Sequence, residues 1–186
     1  MSRRNEPKPS LAGSLLLAHP AMLDPHFRRT VVLLSAHSDE GALGVIINRP
    51  VGRRLGDFSE EFAMGLLSDV PVFEGGPVKD KQIILSAWKS ESAIGMFRLY
   101  FGIDLEKASE LLVEPEGLQV RAFAGHAGWG EGQLENELAQ NAWIVSPVTP
   151  ELIERLDGVE LWRTILGTIS PELRFLADAP DDPSVN

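Results

Sequence analysis

The sequence predicts an α+β domain, and three observations carry the prediction. Unbroken β-branched and apolar runs come in pairs early in the chain, separated by turn residues. Helix-period stretches with recognisable caps are interspersed and gather late. Between them, residues 124–143 (AGHAGWGEGQLENELAQNAW) pass from a strand through four glycines into a helix. Strands and helices in this irregular order argue against a doubly wound parallel sheet.

Taken in order, residues 1–10 read as a polar tail, 11–177 as one domain and 178–186 as a second polar tail. Residues 14–19 form a short strand stopped by Pro20. Residues 30–36 (TVVLLSA) and 43–47 (LGVII) are joined by HSDEGA, which is turn chemistry, and so predict an antiparallel hairpin buried on both faces. Pro50 ends the second strand, because it lacks an amide proton and disfavours helix at the residue before it. Asp57, with Glu60 three residues on, predicts a capped helix that buries Phe58, Phe62 and Leu66. Glu74-Gly75-Gly76-Pro77 is a tight turn ahead of a strand at 82–87, and 93–101 reads as another strand. Asp104 caps a helix bearing Leu105, Ala108, Leu111 and Leu112. Residues 118–124 alternate as a half-buried strand with Gln119, Arg121 and Phe123 on one face.

A loop at Gly125, Gly128, Gly130 and Gly132 then leads into a helix. Its apolar stripe is Leu134, Leu138 and Ala142, and Gln133, Glu137 and Asn141 line up beside it. A brief strand at 144–146 follows. Thr149-Pro150 opens another helix, a second follows at 161–169, and Ser170-Pro171 repeats the cap signal for a last short turn.

Composition bounds the function. Twenty-seven acidic side chains against seventeen Lys and Arg give a net charge of -10. A DNA-binding face needs gathered Lys and Arg, so the composition disfavours direct nucleic-acid binding. No apolar run approaches the ~20 residues that span a bilayer, so no membrane partner is expected and the cytoplasm is the default compartment. The absence of cysteine excludes disulfide and thiolate chemistry. His19, His26, His37 and His126 show no chelating spacing, so neither a metal nor another cofactor is expected. His19 and His37 flank strands as structural histidines. The glycine segment fits no phosphate-loop pattern, and it places Glu131 and Glu135 where an anion would sit.

Four blocks then carry a resemblance. PAMLDPHFRRTVV at 20–32, HSDEGALGVIINRP at 37–50, FEGGPV at 73–78 and GHAGWGEGQLENELAQNAW at 125–143 resemble the YqgE/AlgH family in order. The resemblance implies a single α+β domain, its mostly antiparallel sheet curled into a partial barrel with helices outside, in a bacterial cytoplasmic protein. It implies no activity. Members carry the label of transcriptional regulator without a recognisable DNA-binding module. His126 stands where relatives often have tyrosine, which argues against one fixed acid–base group there.

Three functions follow for testing. The first is a regulatory or binding module that acts through a small-molecule or protein partner and affects expression indirectly. The second is an enzyme using His126 with a carboxylate such as Glu137, and the third is a direct DNA binder. The expected site is a cleft with His126, Trp129, Gln133, Glu137 and Asn141 on one wall. The family blocks make Asn48 and Arg49 candidates for the facing wall.

Overall fold

The computed structural model describes residues 9–91, 96–114 and 118–180. Its strands are β1 (Leu15–Ala18), β2 (Val31–Ser38), β3 (Gly41–Ile46), β4 (Pro50–Arg54), β5 (Pro71–Glu74), β6 (Val78–Glu91), β7 (Met96–Ile103), β8 (Gln119–Trp129) and β9 (Trp143–Ser146). The helices are α1 (Leu105–Leu112), α2 (Gln133–Ala139), α3 (Pro150–Arg155), α4 (Gly158–Ile169) and α5 (Pro171–Asp178). The strands form one mixed, mostly antiparallel sheet in the order β4-β5-β8-β3-β2-β1-β9, with β6 also on β8 and β7 on β6. The sheet curls into a half-barrel with helices packed against it, the α+β class the sequence predicts.

The predicted hairpin is β2–β3, in register Val32↔Ile46 and Leu33↔Val45, with a bulge between Leu34 and Ala36. Its unbroken apolar runs follow from cover on both faces. Leu15, Leu17, Val31, Leu33 and Val45 point into a core closed by Leu161, Trp162, Ile165 and Leu166 of α4. Leu16, Val32, Leu34 and Ile46 point the other way, into a core closed by Leu134 of α2. A third core lies under α1, where Ala108 and Leu111 meet Leu85, Val120 and Ala122. Asp104 caps α1 as expected, its carboxylate accepting the Lys107 amide at 2.7 Å. His37 braces a junction: its Nδ1 accepts the Leu11 amide, and its Nε2 lies 2.9 Å from Glu135 of α2.

β8 joins the two halves. It runs parallel to β5 (Val72↔Ala122), antiparallel to β6 (Trp88↔Gln119) and, further on, antiparallel to β3 (Ala42↔Trp129). Gly125, at φ +75°, sits where the partners change. There the backbones of Gly75, Gly76 and Gly125 cross so closely that a Cβ on any of them would lie 2.2–2.4 Å from main-chain atoms of the other segment.

Four expectations need correction. The segment 125–129 is strand, not loop, because its backbone pairs with β3 and begins to do so just past the Gly125 kink. The first part of β8 is buried on both faces rather than half-buried. Arg121 is only 7% exposed, its guanidinium stacked 4.5 Å from the Phe73 ring and 4.6 Å from the Trp88 ring. It donates to the Ile153 carbonyl at 2.8 Å. Burial lowers its pKa to about 10, opposed by the carboxylates of Asp157 and Glu154.

The helix predicted after Asp57 is instead a pair of 3-10 turns, Leu55–Asp57 and Glu60–Phe62. The Asp57 carboxylate turns back to the Arg54 amide, and Ser59 caps the second turn. Thr149 starts α3 without a side-chain cap bond, so the proline alone sets that terminus. The first three residues of the predicted strand at 93–101 lie outside the described residues; the rest is in β7.

Candidate functional site

Part of the expected wall assembles around one carboxylate. Gln133 and Glu137 stand one helical turn apart on α2, as their spacing requires. Trp129 ends β8 and Trp143 begins β9, which places an indole on each side of Glu137. Trp129 Nε1–H and Trp143 Nε1–H both donate to Glu137 Oε2, at 2.9 and 2.8 Å. Gln133 donates to Oε1 at 3.0 Å and accepts the Gly130 amide with its own oxygen. The indoles meet edge-to-face at 5.9 Å, and Phe27 closes the cluster edge-on to Trp143 at 5.6 Å. Both tryptophans are buried. Three donors occupy the carboxylate, which acts as the polar pin of an aromatic core.

Glu137→Ala should therefore strand two buried indole donors. These two bonds are only part-buried, so each stranded donor costs about 1–2 kcal/mol, the lower part of the usual range, and a loss of about 2–4 kcal/mol is expected. Urea denaturation followed by tryptophan fluorescence measures it. Glu137→Gln, which keeps one acceptor oxygen, should lose clearly less than Glu137→Ala.

The other candidates sit elsewhere. Ala127 and Trp129 share one face of β8, and strand alternation puts His126 on the opposite one. His126 and Glu137 thus form no acid–base pair. His126 is half-buried, and its Nδ1 is buried without a hydrogen-bond partner among the described residues. Burial first, and the charge of Lys79 second, hold its pKa below the ordinary imidazole value. As pH falls the unfolded chain takes up this proton first. The contribution is therefore full above about pH 6.5 and lost as pH drops toward the lowered folded value. His126→Gln should flatten that decline, which denaturation midpoints at about pH 7.5 and 5.5 for both proteins would measure.

Asn48 and Arg49 do not face the α2 stripe. Asn48 is 1% exposed and fully engaged with backbone. Arg49 donates to the carbonyls of His26, at 2.7 Å, and Arg28, and so holds the 25–28 connection. Asn141 adopts φ +57° after α2 and lines a shallow surface pocket of about 330 Å³ with His19, Ala21 and Met22. The Nδ1 of His19 accepts the Ala21 amide, which leaves the proton of the neutral ring on Nε2.

A second surface feature had no sequence signal of its own. Phe62, Met64, Leu66, Leu67, Leu105 and Ser109 line a groove of about 180 Å³ between the 3-10 turns and α1. Met64 is 89% exposed and Leu66 60%. Helical spacing would have buried Leu66. The turns that replace the helix bury Leu67 instead and present its neighbours to solvent. Among the described residues no three His, Cys, Asp or Glu side chains gather into a metal-binding group, and no helix is long and apolar enough to cross a membrane.

The family model described as AlgH-like matches residues 15–174. The chain belongs to the AlgH-like family. Among AlgH-like relatives, a UPF0301 protein of Streptomyces coelicolor is 41% identical, covering 95% of this chain and 96% of its own. One from Thermobifida fusca is 37% identical over the same shares. The solution structure of the AlgH protein from Pseudomonas aeruginosa matches with a TM-score of 0.65 at 27% identity, covering 97% of this chain and all of that one. The crystal structure of protein DIP2367 from Corynebacterium diphtheriae gives 0.69 at 24%, covering 96% and 95%, a likeness of fold.

Proposed function

We propose that this AlgH-like chain is a cytoplasmic binding module that acts through a protein partner and influences gene expression indirectly. The observation that carries the reading is the open groove beside α1. Large apolar side chains left at 89% and 60% exposure at one place are what a partner would cover. The polar groups of the glycine segment support it by their engagement. A general base must be free to reach a proton, and Glu137 already accepts three. The arginines also weigh against a nucleic-acid face: Arg49 is spent on carbonyls, and Arg54 is paired with Asp69 at 2.9 Å.

A photo-crosslinking residue at position 64 tests the reading in cells. It should give a discrete adduct with another protein, absent when the label stands at Phe175 and lost on Leu66→Lys. No adduct, or one indifferent to Leu66→Lys, overturns it. The second reading, a small-molecule site, is favoured by the pocket lined by His19 and Asn141. A metabolite-library thermal-shift screen separates the two, since a ligand raises stability by mass action, and a true hit there should be insensitive to Leu66→Lys.

A further inference from the structure

We propose that the groove beside α1 receives a basic amphipathic segment of the partner protein, apolar at every third or fourth residue and carrying Lys or Arg on both flanks. The inference rests on the protein-partner reading and adds the chemistry of the partner.

Helix geometry gives the groove its length. Leu105, Ser109 and Val113 recur four apart, so they form one stripe along α1 and its C-cap, and Val113 is exposed at the far end. Leu105 and Ser109 line the groove directly, and Met64 and Leu66 rise from the opposite bank. The Ser109 hydroxyl donates back to the Leu105 carbonyl at 2.8 Å. That bond satisfies the one polar side chain of the stripe, which can therefore meet an apolar surface without leaving a donor stranded. Two banks with apolar side chains at helical intervals suit an amphipathic segment laid along α1.

Charge then selects among amphipathic segments. The stripe next to the apolar one is Glu106, Glu110 and Glu114, also four apart and all exposed. The opposite bank carries exposed Glu60 and Glu61, the latter lining the groove. Carboxylates thus flank the apolar floor on both sides. The one cation on α1 is Lys107, which is paired with Glu110 at 3.2 Å. Glu60, Glu61, Glu106 and Glu114 have no ion pair among the described residues. An acidic segment would meet repulsion along both banks, whereas a basic one is steered in and held in register.

The test is fluorescence anisotropy of the full chain with three labelled peptides. One is an amphipathic helix of Leu anchors and Lys flanks, one has Glu for every Lys, and one shuffles the Leu/Lys composition to destroy the apolar face. The Leu/Lys helix should bind at least about tenfold more tightly than either other peptide. Leu66→Lys and, separately, the charge reversal Glu61→Lys with Glu106→Lys should each weaken it by about tenfold or more, while Phe175→Lys on α5 leaves it unchanged. All these positions are exposed, and circular dichroism checks that each variant folds.

The failures are distinct. Binding of the Glu-flanked helix at the groove, sensitive to Leu66→Lys, keeps the docking surface but overturns the basic class. Equal binding of the shuffled peptide, or equal loss with Phe175→Lys, reduces the effect to unspecific attraction and overturns the proposal. No binding by any peptide overturns both the class and the groove as a docking site for such helices. Self-association abolished by Leu66→Lys assigns the groove to a second copy of this chain and overturns it too.

Discussion

Gly125→Ala is expected to destabilise the chain by about 3–5 kcal/mol, a large share of the roughly 5–15 kcal/mol that holds a domain of this size together. Two costs add. At φ +75° an L-residue with a side chain pays about 1–2 kcal/mol. The new Cβ would also lie 2.4 Å from the Gly76 carbonyl oxygen and within 3.0 Å of backbone atoms of Val78 and Asp80. None of these is the end of a flexible side chain. Relief requires β5 and β6 to move off β8, and the overpacking adds about 1–3 kcal/mol or more. Gly128→Ala is the matched control. It lies three residues along the same strand with nothing within 4 Å of a Cβ, and should change stability by less than about 1 kcal/mol. Urea denaturation followed by circular dichroism compares them, and equal losses would refute the crossing as the cause.

Asn48→Ala comes next, at about 3–5 kcal/mol. The side chain lies between β3 and β4 and ties three segments together. Its oxygen accepts the Val31 amide at 2.8 Å, and its nitrogen donates to the carbonyls of Arg29, at 3.0 Å, and Gly158, at 2.8 Å. Removing it leaves buried polar groups unmatched, at about 1–3 kcal/mol each. The amide orientation gives a second, sharper expectation. Asn48→Asp keeps the acceptor for Val31 but turns a second oxygen toward two carbonyls, so near neutral pH it should be no more stable than Asn48→Ala. Denaturant midpoints of the two variants decide the point. An aspartate variant close to the parent in stability would show that the donor bonds contribute little.

Much of this architecture is local and could be read from the chain. The β2–β3 pairing follows from two apolar runs and a turn, α1 from Asp104 and its apolar spacing, and α2 from the period that sets Gln133 beside Glu137. What escaped is long-range. Glycines 125 and 128 look alike in sequence, yet one is demanded by a backbone crossing set by residues 75 and 76 and the other by nothing in the fold. Arg121 alternates like a surface residue, and only the meeting of Phe73, Trp88 and Ile153 makes its place an interior one. Asn48 and Arg49 have polar side chains whose partners lie seventeen or more residues away, so their structural engagement had no local mark. Gln133, Glu137 and Trp129 could be grouped from spacing, but Trp143, which completes the cluster, could not. The groove was hidden for the opposite reason, since a plausible helical period masked the exposure of Leu66.

The position of β1 sets the order in which a nascent chain can finish folding. Leu15–Ala18 is synthesised early, yet one of its edges waits for β9 (Leu16↔Val145), and the Ala18 carbonyl accepts the Trp162 indole proton at 2.8 Å. Until the ribosome has released these late residues, the first strand has an uncovered edge and an apolar face without α4. β5 and β6 likewise wait for β8. The domain therefore completes itself only after residues 143–166 have emerged, and until then the unpaired strands are a surface for chaperones.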